Sequence, residues 1–391
     1  MLTSRRTKSL LPKLSFFSVY IILISKQRLH TPAVMRRSTR RALMPVILFF
    51  TVLFLVIFLN RPQSNKSFAW NKIRYKPSSA TLPESRGICP GLATSLKPAL
   101  VVSRVAADGD PKWLDALAKK YHLCVYTVDA PVNKNSKDLQ VPANKGHEAM
   151  SYLTFMIDNY DHVPSAGAVF VHGARFQWHN DHAEYDNVAL LSALDIPSAL
   201  KQHGYHNLRC DWSLSTCPLS TPPQGSLETS FNAALAPWDD RAKSDSGLPK
   251  TLALLFGEDG KHGEVLLGTT HAVRSQCCAQ FVVARDRILQ HSREEYVALR
   301  QWLLEQSNSD LVAGRMLSYV WHILFVRKDS EVNAPYGIDL ELLNQRACPS
   351  AEDCYCRLYG RCNLEKCFGG SCFGQYKLPY ELKVPVDGPH A

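Results

Sequence analysis

Between residues 144 and 182 the sequence crowds groups that could bind a ligand or move a proton. Asn144, Lys145, Gly146, His147 and Glu148 form a polar knot ahead of an apolar-periodic run. Glu148 could serve there as a general base, and backbone N–H groups around Asn144 and Gly146 could receive a phosphate or a sugar hydroxyl. The plainer reading is a helix start, with Asn144 or Gly146 as cap and Glu148 complementing the positive helix end. A second cluster, HGARFQWHNDH at 172–182, gathers His172, Arg175, His179, Asp181 and His182 in one loop. Imidazole with carboxylate suits Mn²⁺ or Zn²⁺, although no H-x-H or H-E-x-x-H spacing is present. Asp108 and Asp110 make a literal D-x-D that doubles as a helix cap. Arg315, Tyr319 and His322 share one side of an apolar helix, where a lone histidine is more often a core residue. No G-x-S-x-G elbow, P-loop or G-x-G-x-x-G occurs, which argues against a serine hydrolase, an ATPase and a dinucleotide oxidoreductase.

The elements that must position these groups read as strand–helix–strand units. ALVVSRV (99–105) is a short apolar run expected as a buried strand. A helix follows, with Asp108 or Asp110 as cap, Pro111 in its first turn, and Trp113, Leu114, Leu117 and Tyr121 on one face. LCVYTVDA (123–130) is a second strand. Met150, Leu153, Ile157 and Tyr160 mark a helix from about 147 to 160, and AVFVH (168–172) is a third strand. Two successive βαβ units predict a mostly parallel sheet with flanking helices. Ligands of such sheets lie beyond the carboxyl ends of the strands, which selects Arg104 to Asp110, Asp129 and His172 to His182. Further along, NVALLSAL reads as a helix, 218–249 as an exposed insertion of low order, and TLALLFGEDGKHGEVLLGTT as a hairpin. CCAQFVVAR (277–285) reads as a strand, REEYVALRQWLLEQ and AGRMLSYVWHILF as one helix each.

Charge and cysteines locate the chain. Residues 1–41 carry ten Lys/Arg and no Asp or Glu; without them Lys+Arg and Asp+Glu balance at 35 each. The basic excess is therefore a topology signal rather than a nucleic-acid footprint. It precedes residues 42–59, eighteen residues without a charge, bounded by Arg41 and Arg61. That length just crosses a hydrocarbon core. With basic residues ahead of it and no cleavage site behind, it predicts an uncleaved signal anchor and a type II single-span protein. The apolar run at 14–25 is too short to span, and residues 1–34 read either as an interfacial tail or as an extension ahead of a natural start at Met35. All twelve cysteines lie beyond the span, from Cys89 to Cys372, as expected for disulfides in an oxidising Golgi or ER lumen. Cys210 and Cys217 are close enough for a local bridge. Cys348, Cys354, Cys356, Cys362, Cys367 and Cys372 lack zinc-knuckle spacing. The expected order is a basic cytosolic tail (1–41), the anchor (42–59), a Pro-containing stem (60–97), a luminal α/β domain (98–347) and a Cys-rich tail (348–391). The sequon at Asn65 sits close behind the span.

LVVSRV, NKGHEAMSYLTFMIDNYDHVP, VFVHGARFQWHND, LRCDW, CCAQFVVARDRI, YVWHILF and CYCRLYGRCNL, in this order, resemble the fungal domain-of-unknown-function family DUF3431. More loosely, the pattern is similar to GT-A-type glycosyltransferases. That similarity implies a Rossmann-like sheet, a nucleotide-sugar donor and a glycan or lipid acceptor, with Mn or Mg as the usual cofactor of the type. It implies Gln280 and Arg285 near the site, and places Trp321 and His322 at its edge. One departure is plain: where a D-x-D follows the third strand in such enzymes, this chain has His172-Gly173-Ala174. The expectation is then Glu148 or Asp181 as base, Arg104, Arg175 and Arg285 as phosphate neutralisers, and Asn144 and Gly146 as backbone contacts. The rival expectations are a glycan-binding module without catalysis and a metal hydrolase on the His172 to His182 loop.

Overall fold

In a computed structural model, residues 37–59, 67–68, 70–78, 84–130, 132–133, 135–257, 267, 271–326, 333–334 and 337–376 are described. The chain divides into Met1–Leu59 and Asn60–Ala391. In the first unit, a helix runs over Arg37–Leu59, with Pro45 inside it. The large apolar side chains described there, from Leu43 to Phe58, are exposed. Among the described residues no helix is long and apolar enough to cross a membrane. The expected tail and the two ends of the expected span lie outside the side chains described.

In the second unit six strands make one sheet: β1 (Ala99–Arg104), β2 (His122–Thr127), β3 (Leu139–Gln140), β4 (Ala168–His172), β5 (Tyr205–Asn207) and β6 (Phe281–Val283). Their order is β3-β2-β1-β4-β6-β5. β1 pairs in parallel with both β2 and β4, and β2 with β3, whereas β6 is antiparallel to β4 and β5. The alternation of side chains along a strand divides the apolar runs between two cores. Ala99, Val101, Ala168, Phe170, Phe281 and Val283 face one layer. Leu100, Val102, Val169, Val171 and Val282 face the other. Runs that read as continuously apolar are thus buried on both faces, as in parallel sheets flanked by helices.

The first layer holds helices α1 (Glu148–Asp158), α2 (Asp240–Phe256), α3 (Arg293–Glu305), α4 (Asp310–Ser318) and α5 (Trp321–Phe325). Met150, Leu153 and Ile157 on α1 are buried as their spacing predicts. The helix expected after β1 forms as two tighter 3-10 pieces, Ala106–Asp108 and Pro111–Leu117. Asp110 caps the second by accepting from Lys112 N at 3.0 Å, and Leu114, Leu117 and Tyr121 bury against the opposite face of the sheet.

Five expectations are corrected. Residues 218–249 are not a loose insertion: Leu227–Leu235 and the start of α2 are helical, capped by Ser226 and Asp239. Leu248, Leu252 and Leu255 of α2 enter the core, so residues 251–256 are helix rather than the first strand of a hairpin. The remainder of that hairpin lies outside the described residues. The stem is not a free linker, because Trp70, Ile73, Cys89 and Leu92 are buried and Arg74 N donates to Leu255 O at 2.7 Å. The apolar run near 313–325 breaks into α4 and α5. Last, Cys210 does not bridge to Cys217. Cys210–Cys354 and Cys217–Cys348 instead tie the end of β5 to the C-terminal segment. Cys89–Cys124, Cys277–Cys278, Cys356–Cys362 and Cys367–Cys372 complete six disulfides.

Candidate functional site

A cleft of about 500 Å³ opens beyond the carboxyl ends of the parallel strands, where ligands of open α/β sheets bind. Glu148, at the first position of α1, lines it with His147, His172 and His179. The loop before α1 is held from both sides. Gly146 has φ +70°, and a Cβ there would meet Leu303 Cδ1 at 2.4 Å. Lys145 donates to Leu304 O at 2.9 Å and also to Gln306 O, at the end of α3. The cap of α1 is His147, not Asn144 or Gly146, and its side chain makes no capping hydrogen bond. Its φ is +55°; Cys278 (+90°) and Ala279 (+49°), across the cleft, share that sign. Non-glycine residues held in this region cluster at ligand sites, because only a well-determined surrounding sustains them.

Glu148 Oε2 lies 3.8 Å from His172 Nδ1, with side chains 13% and 19% exposed. Among the described residues the carboxylate accepts no hydrogen bond. His172 Nε2 lies 2.9 Å from Cys278 O; a carbonyl only accepts, so Nε2 carries the hydrogen and Nδ1 turns to Glu148. The His179 ring stacks on His172 at 4.5 Å. Burial, and then the nearby His172, push His179 down to about 3, so it stands neutral beside the carboxylate. Trp178, 52% exposed, forms part of the rim.

A smaller space of about 200 Å³ adjoins the cleft and shares His147, Glu148, His172 and His179 with it. Ser103, Arg104, Asn144 and Gln177 line this lobe. Glu148 therefore stands where two lobes meet. Where the D-x-D was expected, Gly173 allows a close approach: a Cβ there would meet Arg104 Cβ at 2.3 Å and Asp108 Oδ2 at 2.5 Å. The strand ends approach too closely there for any side chain at position 173.

The remaining expected residues separate sharply. Arg104 borders the small lobe, but its Nη2 donates to Gly109 O at 2.8 Å. Asp108 lines the small lobe, its Oδ2 accepting from Val105 N, whereas Asp110 is a cap paired with Lys112 at 3.0 Å. Arg175 is spent on a two-bond pairing with Asp186, 3.0 Å for each bond. Gln280 is buried and donates to Asn180 Oδ1 at 2.9 Å, a structural position. Arg285 follows β6, and because β6 is antiparallel, Val283 pairs with Ala168 at the amino end of β4. Arg285 is thus at the edge of the sheet opposite the cleft, and the residues before β6, not after it, reach the site. His322 is buried in the core, and neither ring nitrogen has a partner among the described residues.

Asp181 is not in the cleft. Its Oδ2 accepts from Cys210 N (2.7 Å) and Asp211 N (3.3 Å), and its Oδ1 from the Tyr355 (3.0 Å) and Tyr376 (2.9 Å) hydroxyls. Burial outweighs these donors and raises its carboxyl above the usual range. Asp181 is a knot between the loop after β4, the end of β5 and the C-terminal segment. Asp181→Ala would strand those four donors and is expected to destabilise the fold by about 3 kcal/mol or more, read from the denaturant midpoint. The expected metal loop does not assemble either, since His182 Nδ1 accepts from Glu184 N at 3.2 Å. Among the described residues, the group close enough to hold an ion is Cys89, His122 and Cys124, whose sulfurs are joined to each other.

Buried imidazoles also fix a pH dependence. Burial lowers His322 to about 3 and His206 to about 4. Between those values and the ordinary 6.5, the unfolded chain binds protons that the folded chain refuses, so stability falls as pH drops. Each fully buried ring should cost roughly 2 kcal/mol between pH 6.5 and pH 5. Urea midpoints across that range should decline steadily; a flat profile would show that these rings protonate without unfolding.

Sequence reasoning missed Trp178, Arg241 and the Cys277–Cys278 turn as cleft residues. A family model described as "Protein of unknown function (DUF3431)" matches residues 100–357, which take in the whole six-stranded sheet. No curated protein and no solved structure matches the chain.

Proposed function

The chain belongs to the DUF3431 family of proteins of unknown function, and we propose that it is a single-pass type II membrane protein of the Golgi or ER whose luminal domain transfers a sugar. The donor is a nucleotide sugar, and the acceptor is a glycan or lipid hydroxyl. The observation that carries this reading is Glu148 at the junction of two lobes, since a transferase must hold two substrates about one proton acceptor. Glu148 takes the proton of the acceptor hydroxyl. The freed oxygen bonds to the anomeric carbon as the bond from that carbon to the diphosphate oxygen breaks, and nucleoside diphosphate leaves with the electron pair. His172 stands beside the carboxylate at 3.8 Å, and Trp178 offers an apolar face to a sugar ring. Topology is supported by the basic tail, the apolar run at 42–59 and six disulfides that suit an oxidising lumen.

Mn or Mg would need several ligand groups converging in the cleft; Glu148 and Asp240 line the large lobe and Asp108 the small one, but among the described residues no cluster close enough to hold an ion forms there, so no step is drawn through a metal. The exposed Trp178 also favours a second reading, a glycan-binding module without catalysis. Release of free nucleoside diphosphate from a panel of nucleotide sugars, with a glycan extract as acceptor, separates the two. Release with one donor supports transfer; glycan binding with no release from any donor removes it.

A further inference from the structure

Two arginines of the large lobe are placed differently from the others around the site. Arg241, in the first turn of α2, and Arg315, on α4, each bring Nε to 3.8 Å from the single carboxylate of Asp245. At that separation neither Nε makes a hydrogen bond to it. Arg315 Nη2 donates to the Tyr319 hydroxyl at 2.9 Å, and that hydroxyl in turn donates to Asp245. Arg315 Nε is buried without a hydrogen-bond partner among the described residues. Arg241 is 48% exposed and Arg315 30%. By contrast, Arg175 is paired through two bonds with Asp186, and Arg274 donates to the carbonyls of Thr216, Pro218 and Thr221.

The charges do not cancel. Asp245 can neutralise one guanidinium but not two, and the neighbouring Asp240 is paired with Lys243 at 3.5 Å. One positive charge is left facing the cleft, spread over two forks that retain N–H donors. Two separate guanidiniums suit a ligand with two linked anionic groups, because each can take a charge-assisted bond from one of them. α4 also approaches the loop that presents Glu148: a Cβ on Gly314 would meet Gly146 O at 3.0 Å. The arginine pair and the carboxylate therefore belong to one continuous wall.

We infer that Arg241 and Arg315, held by Asp245 and Tyr319, form a diphosphate-binding subsite. In the transfer proposed above, it receives the leaving nucleoside diphosphate and neutralises the charge that a divalent cation would otherwise take. The nucleoside part of this assignment rests on that proposal; the diphosphate part rests on the arginine geometry.

The test is calorimetric titration of the full chain in mild detergent with inorganic pyrophosphate, nucleoside diphosphates and a short isoprenyl diphosphate. Wild type should bind at least one nucleoside diphosphate. Arg315→Gln should weaken it about tenfold or more and the double variant with Arg241→Gln about a hundredfold. Because Arg315 packs on Tyr319, the half-exposed Arg241→Gln alone keeps the test valid if Arg315→Gln fails to fold. Nucleotide binding unchanged in the variants would overturn the subsite and leave the transferase reading standing. Arginine-dependent binding of pyrophosphate or isoprenyl diphosphate, but of no nucleotide, would keep the subsite and remove the nucleotide-sugar donor. Binding of no diphosphate at all would overturn the subsite.

Discussion

Glu148→Gln is expected to reduce sugar transfer by about 10²–10⁴-fold, the usual contribution of a positioned general base, with little change in melting temperature. The two halves of this expectation come from the same geometry. Glu148 borders both lobes of the cleft, and His172 Nδ1 lies 3.8 Å from its Oε2. Nothing described in the fold depends on its oxygens as acceptors, so the isosteric amide removes the base without opening the structure. Asp181→Ala should behave in the opposite way, losing stability first and activity only as the fold is lost. Rates measured beside melting curves for both variants check the assignment. Equal loss of activity from two well-folded variants would restore Asp181 to the chemistry.

The largest effect on stability should come from the two long-range disulfides. Cys210–Cys354 and Cys217–Cys348 close loops of 144 and 131 residues in sequence, and each should contribute about 4 kcal/mol by limiting the unfolded chain. Removing both is then comparable to the whole net stability of a typical domain, about 5–15 kcal/mol. A chain with serine at Cys210, Cys354, Cys217 and Cys348 should unfold at much lower urea concentration or not accumulate folded. Serine at Cys356 and Cys362, separated by only six residues, should cost less. Similar midpoints for the two variants would show that the long bridges decorate a fold already fixed by its core.

The central sheet was legible because its signal is local. Short β-branched runs such as LVVS and AVFV, punctuated by Pro and Gly, fix strands, and the i, i+3, i+7 stripe of Met150, Leu153 and Ile157 fixes the helix between them. Strand direction is not local. β6 has the composition of any buried strand, and nothing in FVV says that it runs against its neighbours; that reversal alone moved Arg285 to the far edge and brought Cys277 and Cys278 into the cleft. Disulfide partners are equally non-local, which is why Cys210 and Cys217 invited a short bridge. Burial of polar groups was hidden for a related reason: Asp181 looks like a loop ligand until Tyr355 and Tyr376 arrive from nearly two hundred residues away. The region around Arg241 offered a signal that was read too weakly. Asp239 as cap and the i,i+4 pair of Arg241 with Asp245 mark a helix start, and Pro249 lies inside the helix that follows.

The measurement that tests the central claim most directly is thermal unfolding of the full chain against nucleoside diphosphates and nucleotide sugars, with and without Mn²⁺. A ligand at a hundredfold excess over its dissociation constant adds about 2.7 kcal/mol to the folded state. A raised melting temperature with one nucleotide family, present without Mn²⁺, is the predicted result and would name the donor. Stabilisation by glycans but by no nucleotide would contradict it and leave the cleft as a binding surface.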